Sequence, residues 1–453
     1  MKPQLKGRRK PRFRWAGAAF HRVASGFSRA RLRSMAGRVR AWILGRPLAR
    51  AVVKVAFFYV CIRVIMLMLA QLFRLGIMGI PALEGSASSD LCLNDLHYAI
   101  RDRDNSGQPL SGRLLLVNTG DLPSDRFREG LAGLLDVLRR HRPAVIAVDH
   151  AFSADTSIPG TQSLVSAIGA TPGIILARPG EAPASPPSFG GDVTWADVDF
   201  PVQSYSIRRY REGGGTFAAA VARRLGYEAA DGGGDGAFII HYVALDLFPV
   251  AGLLMDSVDV DAYRFLGPPR SLPMLNAGEL LLAEGLDSGR LGRFLEGKAV
   301  LIGHLGSTAL RDIRHDVEDR HPVPCDSTLV HRQRTMSGLM IHANAVENLL
   351  NPDVRFRELD SEGWFVAFEE SLVVLYLIFL IFAKGGKLLN ILMMLLLSLP
   401  VLFVVLYLMH HSVYAEMGAT LLQLLIFEEM VEILDPMYHR VRAWFVPSGG
   451  TSG

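Results

Sequence analysis

Apolar and polar positions along the chain follow two patterns. Four stretches are almost continuously apolar and long enough to cross a bilayer: 51–73 (AVVKVAFFYVCIRVIMLMLAQLF), 364–383, 388–409 and 413–434. Between the first and second, over 76–362, short apolar runs alternate with amphipathic stretches. LLLVNTG at 114–120, AVIAVDHAF at 144–152, GIILARP at 173–179, AFIIHYV at 237–243 and AVLIGHL at 299–305 read as strands. The stretches 126–141, 161–170, 216–227 and 341–350 carry apolar residues at helical spacing. This alternation predicts an α/β domain with a largely parallel sheet, flanked by one membrane helix before it and three after it. Residues 243–290 show no clear period and read as an insertion or a pairing excursion at the sheet edge. Residues 180–191 and 231–236, rich in Gly and Pro or Gly and Asp, read as surface loops.

Charge orients this arrangement. Residues 1–50 hold fifteen Lys and Arg and no Asp or Glu, while the remainder is net acidic. So basic a head beside an apolar span is expected on the cytoplasmic side, and it does not read as a cleavable signal peptide, since the charged region is too long and no small-residue cleavage site follows. Nucleic acid is not the expected partner. AKGGK at 383–387 and HRVR at 439–442 are basic, whereas HHS at 410–412 is not. Four spans put all three basic segments inside, with both termini cytoplasmic, the tail 435–453 included, and 76–362 outside. Within the spans, Lys54 is expected to pair with Glu428 or Glu429, and Arg63 to face Gln423 or a partner protein. Cys92 and Cys325 both fall in the outer domain and are candidates for one disulfide; Cys61 lies in the first span.

In a parallel sheet the C-terminal strand ends line a crevice where ligands bind. That places Asn118, Thr119, Asp149, His150, Gly303 and His304 together, with Asp312, His315, Asp316 and His342 in segments beside the same edge. A small polar ligand or a cation suits such a set. His342 and Asn344 open the last helix, where Asn344 reads as a cap. Histidines 304, 315, 321 and 342 raise a metal site, but the chain has no His-Glu-x-x-His, no paired-cysteine motif and no fixed ligand spacing, so no metal or cofactor is expected. No Gly-x-Ser-x-Gly elbow is present, and the GGG runs at 213–215 and 232–234 lack the Lys-Ser/Thr of a phosphate loop. The chain is therefore not expected to be an enzyme.

Several stretches in order carry a family resemblance: LLLVNTG, RFREGLAGLLDVLRRHRPAVIAVDHAFS, SYSIRRY, FLEGKAVLIGHLGS and TMSGLMIHANAVENLL, the last with Gly-x-x-x-His-Ala-Asn. Together, over about 110–351, they resemble the type-two CHASE domain, the cyclase/histidine-kinase-associated sensory extracellular module. The resemblance implies a membrane-bound extracytoplasmic sensor in the bacterial inner membrane, and a homodimer is expected on that ground alone. Family members often continue into a kinase or cyclase; here about twenty residues follow the last span, so a separate output protein is expected. The signal would be a small ligand or an envelope protein. Two other readings stay open: a scaffold subunit that binds another envelope protein, and an enzyme with an Asp/His metal site.

Overall fold

The computed structural model describes residues 46–74, 110–152, 157–178, 189–200, 207–213, 215–228, 236–255, 270–306, 320–323, 335–359, 363–382, 387–415 and 417–445. These residues fall in two compact units, one drawn from Met1–Met68, Ser371–Met394 and Gln423–Gly453, the other from Leu69–Glu370 and Leu395–Leu422.

A long helix α1 (Pro47–Arg74) precedes the larger unit. There the chain runs through β1 (Leu114–Asn118), α2 (Phe127–His141), β2 (Val145–Val148), α3 (Thr161–Gly169), β3 (Ile174–Arg178) and β4 (Val193–Asp197). It continues through β5 (Arg209–Arg211), α4 (Phe217–Arg224), β6 (Ala237–Ile239), β7 (Asp246–Pro249), α5 (Ala251–Met255), β8 (Ser271–Asn276), α6 (Ala277–Leu295) and β9 (Ala299–Gly303). The domain closes with β10 (Arg320–Pro322), β11 (Thr335–Ser337), α7 (Gly338–Leu350) and β12 (Arg357–Glu358). Seven strands form one sheet in the order β4-β3-β2-β9-β1-β8-β7, with every pairing parallel. β1, β2 and β9 are buried along their whole length, which is why they read as uninterrupted apolar runs rather than alternating ones. One sheet face packs α2, α3 and α6 against Leu115, Val117, Val148 and Ile302. The other packs α4 and α7 against Leu114, Leu116, Ala147 and Leu301.

Two readings of the middle of the chain are corrected. Residues 237–243 do not form a strand of the main sheet: Ala237–Ile239 pairs antiparallel with β5 in a separate ribbon. The described parts of 243–290, residues 243–255 and 270–290, belong to the sheet and its edge rather than forming an insertion. They supply edge strand β7, interior strand β8 beside β1, and most of α6. Pro249 ends the first of these strands and Pro273 lies inside the second, and proline argues against a sheet strand when only the sequence is read.

α7 is buried on all sides from Gly338 to Leu349, although it carries His342, Asn344, Glu347 and Asn348. Its N-cap is Ser337, so Asn344 is not a cap but a mid-helix residue. The neighbouring segment 240–245 is buried outside any strand, and its peptide groups need partners. Asn344 accepts the Ala244 N–H at 2.8 Å and donates to the Ala244 carbonyl at 2.9 Å. Asn348 does the same for His241, with 2.8 Å to its N–H and 2.8 Å to its carbonyl. Two side-chain amides thus replace a missing strand. One turn away, Glu347 accepts both the backbone N–H and the hydroxyl of Ser111, each at 2.8 Å. Burial pushes the Glu347 carboxyl up, and the two Ser111 donors oppose that rise.

Beyond the domain come α8 (Gly363–Phe382), α9 (Lys387–His410), β13 (Val413–Tyr414) and α10 (Gly418–Phe445). Pro47–Met68, α8 and α9 are long and apolar enough to cross a membrane. The fourth apolar stretch, read from 413, enters its helix only at Gly418, because Val413 and Tyr414 pair in parallel with Arg357 and Glu358 of β12. The short turn between α9 and α10 is thereby held to the α/β domain, and Met409 and Tyr414 are buried in the same core cluster as α4 and α7.

In the smaller unit, Lys54 pairs with Asp435 at 2.9 Å rather than with Glu428 or Glu429. The helix carrying all three carboxylates runs on to Phe445, so a lower residue meets the lysine, and Glu428 instead accepts from Asn390 at 3.1 Å. Lys54 Nζ also lies 5.6 Å from the centres of the Phe58 and Tyr438 rings. Arg63 lies over the Tyr59 ring, at 5.3 Å; the Gln423 side chain is outside the described set.

Two outcomes follow for stability. Asn348→Leu leaves a buried N–H and a buried carbonyl of His241 unpaired and should cost about 2–4 kcal/mol, read by denaturation of the full chain in detergent. For Glu347, a folded pKa above the unfolded one means that its contribution is fully present below the unfolded pKa and is lost as pH rises from there through the folded value. The stability of the wild type relative to Glu347→Gln should therefore be greatest below the ordinary carboxylate range and should decline as pH rises, which thermal melts across that range will check.

Candidate functional site

The C-terminal ends of β1, β9 and β2 meet on one rung of the sheet. Asn118 lies between Gly303 and Asn276 in register. The chain is drawn across this edge by two backbone bonds, from Thr119 N–H to the Gly303 carbonyl at 3.0 Å and from Asp149 N–H to the Ile302 carbonyl at 2.7 Å. Gly120 passes so close to Gly306 that a Cβ at 120 would sit 2.1 Å from the Gly306 oxygen, and Gly306 itself has φ +122°. Gly303, expected at the site, is buried and serves this crossing through its backbone carbonyl.

Asn118 staples it. Its amide donates to Asn276 Oδ1 at 3.0 Å and to the Gly306 carbonyl at 2.9 Å. Its Oδ1 accepts the N–H groups of Gly120 at 3.0 Å and Leu305 at 2.9 Å. Two donors and two acceptor sites are all that the side chain has. Asn118 is therefore part of the frame and has no capacity left for a ligand, contrary to its reading as a ligand-binding residue. Thr119 is also buried, and its hydroxyl lies 3.0 Å from His150 Nε2. The His150 ring is set edge-on against Phe127, at 5.1 Å between centres. Asp149, His150 and His304 are each half-buried at the rim. They are the members of the expected set that keep accessible surface at this edge. Asp312, His315, Asp316, Cys92 and Cys325 lie outside the described residues, so the disulfide and the charged-loop part of the site do as well. Among the described residues, no group of three His, Cys, Asp or Glu is placed to hold a metal.

His342 belongs to a different environment, a buried aromatic box between α7, α4 and β5. It is 1 % exposed. Its ring stacks on Phe200 with 4.7 Å between centres and an interplanar angle of 25°, and Phe217 lies at 5.0 Å. His321 meets the far side of Phe200 at 5.0 Å. Tyr210 Oη is 2.7 Å from His342 Nδ1 and accepts the Ala218 N–H at 3.0 Å. Burial pushes the Tyr210 phenol far above its usual range, and the Asp149 and Asp197 carboxylates push it the same way. It stays a neutral hydroxyl. With the Ala218 N–H already directed at its oxygen, the phenol proton is available to donate to His342 Nδ1, an arrangement that suits a neutral imidazole protonated at Nε2. Phe200, Tyr210 and Phe217 were not singled out as site residues from the sequence. Tyr210 was quoted only as part of SYSIRRY, and nothing in the local pattern marks its distant partner on α7.

Asn118→Ala strands partners on three segments and should destabilise the full chain by about 2–4 kcal/mol. Asp149→Ala at the half-buried rim should cost about 1 kcal/mol or less. Parallel denaturation curves separate the frame residue from the rim residue.

No curated protein and no solved structure matches the chain. The CHASE2 domain family matches residues 99–385, which is more than half of the sequence and takes in the whole seven-stranded sheet together with α8. CHASE2 domains are sensory extracellular modules. By that match, and by a parallel α/β domain set in the chain between one apolar helix and others that follow, the chain belongs to the CHASE2 domain family.

Proposed function

We propose that this chain is a membrane-bound sensor whose α/β domain lies outside the cytoplasm, in the periplasm of a bacterium with an inner membrane. A small ligand or an envelope protein acts on the domain, and the helices relay its state to a separate cytoplasmic or membrane protein. The protein is not an enzyme in this reading. The basic segments 1–50, 383–387 and 439–442 favour the cytoplasm for both termini.

The observation that carries the relay is the β12–β13 clasp. Arg357 N–H donates to the Ser412 carbonyl at 2.9 Å, and Leu359 N–H to the Tyr414 carbonyl at 3.0 Å. Phe356, next in the chain to β12, packs against both His241 (4.4 Å between ring centres) and Tyr414 (6.0 Å). A shift of α7 or of the segment it holds therefore acts directly on the turn that joins two apolar helices. Such a shift needs two packed arrangements whose balance a ligand biases. Residues Asp149, His150 and His304 at the strand-end rim are the proposed ligand-facing groups.

Two measurements test this. With the native cysteines replaced by serine, Ser157→Cys in intact cells should react with a membrane-impermeant maleimide and Gly385→Cys should not; the reverse pattern overturns the orientation. In full-length protein in lipid nanodiscs, Asp149→Ala should change amide exchange at 354–359 and 411–415 by about threefold or more. Unchanged exchange there would leave the domain a scaffold rather than a sensor.

A further inference from the structure

We infer that the His342–Tyr210 pair is a proton-sensing element of the outer domain, switched by acidification of the surrounding medium. The inference deepens the sensor reading and rests on it only for the readout at the turn between α9 and α10.

The geometry provides two hydrogen-bonding states. In the first, the Tyr210 hydroxyl donates to Nδ1 of neutral His342 while its oxygen accepts from Ala218. In the second, a proton from solvent binds Nδ1. The Tyr210 oxygen then accepts from both Nδ1–H and Ala218 N–H, and its own proton must turn elsewhere. Thr216, which caps the start of α4 and donates its own hydroxyl proton to the Arg211 carbonyl at 3.0 Å, offers an oxygen two residues from Ala218. No bond other than the new N–H forms, and none breaks.

The surroundings tolerate the added charge. Asp149 from the end of β2 and Asp197 from the end of β4 place carboxylates in electrostatic range of the phenol. Phe200 and Phe217 present aromatic surface to the imidazole, which an imidazolium also favours. Among the described residues, His321 also packs on Phe200, and the nearby cation is the Arg211 guanidinium, which pairs with Asp197 at 3.5 Å. Histidine is the side chain whose ordinary titration falls in the range that an extracytoplasmic compartment experiences. His342 sits on the same rigid helix as Asn344 and Asn348, and through His241 and Phe356 that helix reaches Tyr414.

The test is nuclear magnetic resonance of the full chain in nanodiscs with 15N-labelled histidine, the His342 signals being assigned by their loss in His342→Gln. Between about pH 7.5 and 5 the ring should pass from the Nε2–H tautomer to imidazolium. Amide exchange at 411–415, corrected for its intrinsic pH dependence, should change about threefold over the same interval. If His342→Gln fails to fold, Tyr210→Phe keeps the aromatic box, assigns the dyad by its altered His342 shifts, and should move the midpoint by about half a pH unit or more. A ring that stays neutral throughout, one already charged at the upper pH, or a midpoint unmoved in Tyr210→Phe each overturns the proton site. A ring that titrates while exchange at 411–415 does not change upholds the proton site and overturns the relay instead.

Discussion

Segment 240–245 is buried outside any strand; its ends bond to the Arg208 and Arg270 carbonyls, and a buried peptide group left unpaired between them would cost about 1–3 kcal/mol. Asn344 and Asn348 on α7 meet that demand with both ends of their side-chain amides. Much else is set by this. A helix that must present two amides to one side and Glu347 to Ser111 cannot rotate or slide. Its fixed position in turn sets where His342 enters the aromatic box and where β12 leaves toward the membrane helices. The polar groups of α7 give the domain one register, which apolar packing alone would leave looser.

What could be read from the sequence follows from how local the signal is. β1, β2, β3 and β9 are short apolar runs bounded by turn residues, and their parallel pairing follows from the helices between them. β8 escaped because Pro273 and the terminal Asn276 disguise a buried strand. AFIIHYV was assigned to the sheet because a buried apolar run looks the same whether its peptide groups meet a strand or the amides of residues about a hundred positions away. The rim was legible as a place, since strand ends of a parallel sheet gather there. The division of labour within it was not. Asn118 and Asp149 are both polar residues at a strand end, and only the four bonds of Asn118 show that it is frame.

The membrane helices show the same limit. A lysine in an apolar span announces that it needs a partner, and a cluster of carboxylates on the last helix announces where one could be found. Which carboxylate it meets depends on where that helix starts and stops. Here the pairing of Val413 and Tyr414 with β12 delays the start of α10, and Asp435 rather than Glu428 or Glu429 meets Lys54. The register of this ion pair was therefore not available from hydropathy.

The clasp has a practical corollary. The core shared by α4 and α7 includes Met409, in the last turn of the second of the two apolar helices α8 and α9, and Tyr414 just past it, both beyond the end of the family match at 385. A soluble fragment cut at the first of those helices would lose two of its own interior side chains and one partner of β12, and would open a hydrophobic hole where they had been. The folding unit is discontinuous in sequence: its last pieces are synthesised only after α8 and most of α9. Completion of the α/β core therefore waits on residues 409–414, and the domain cannot finish folding before that part of the chain has been made and brought back to β12.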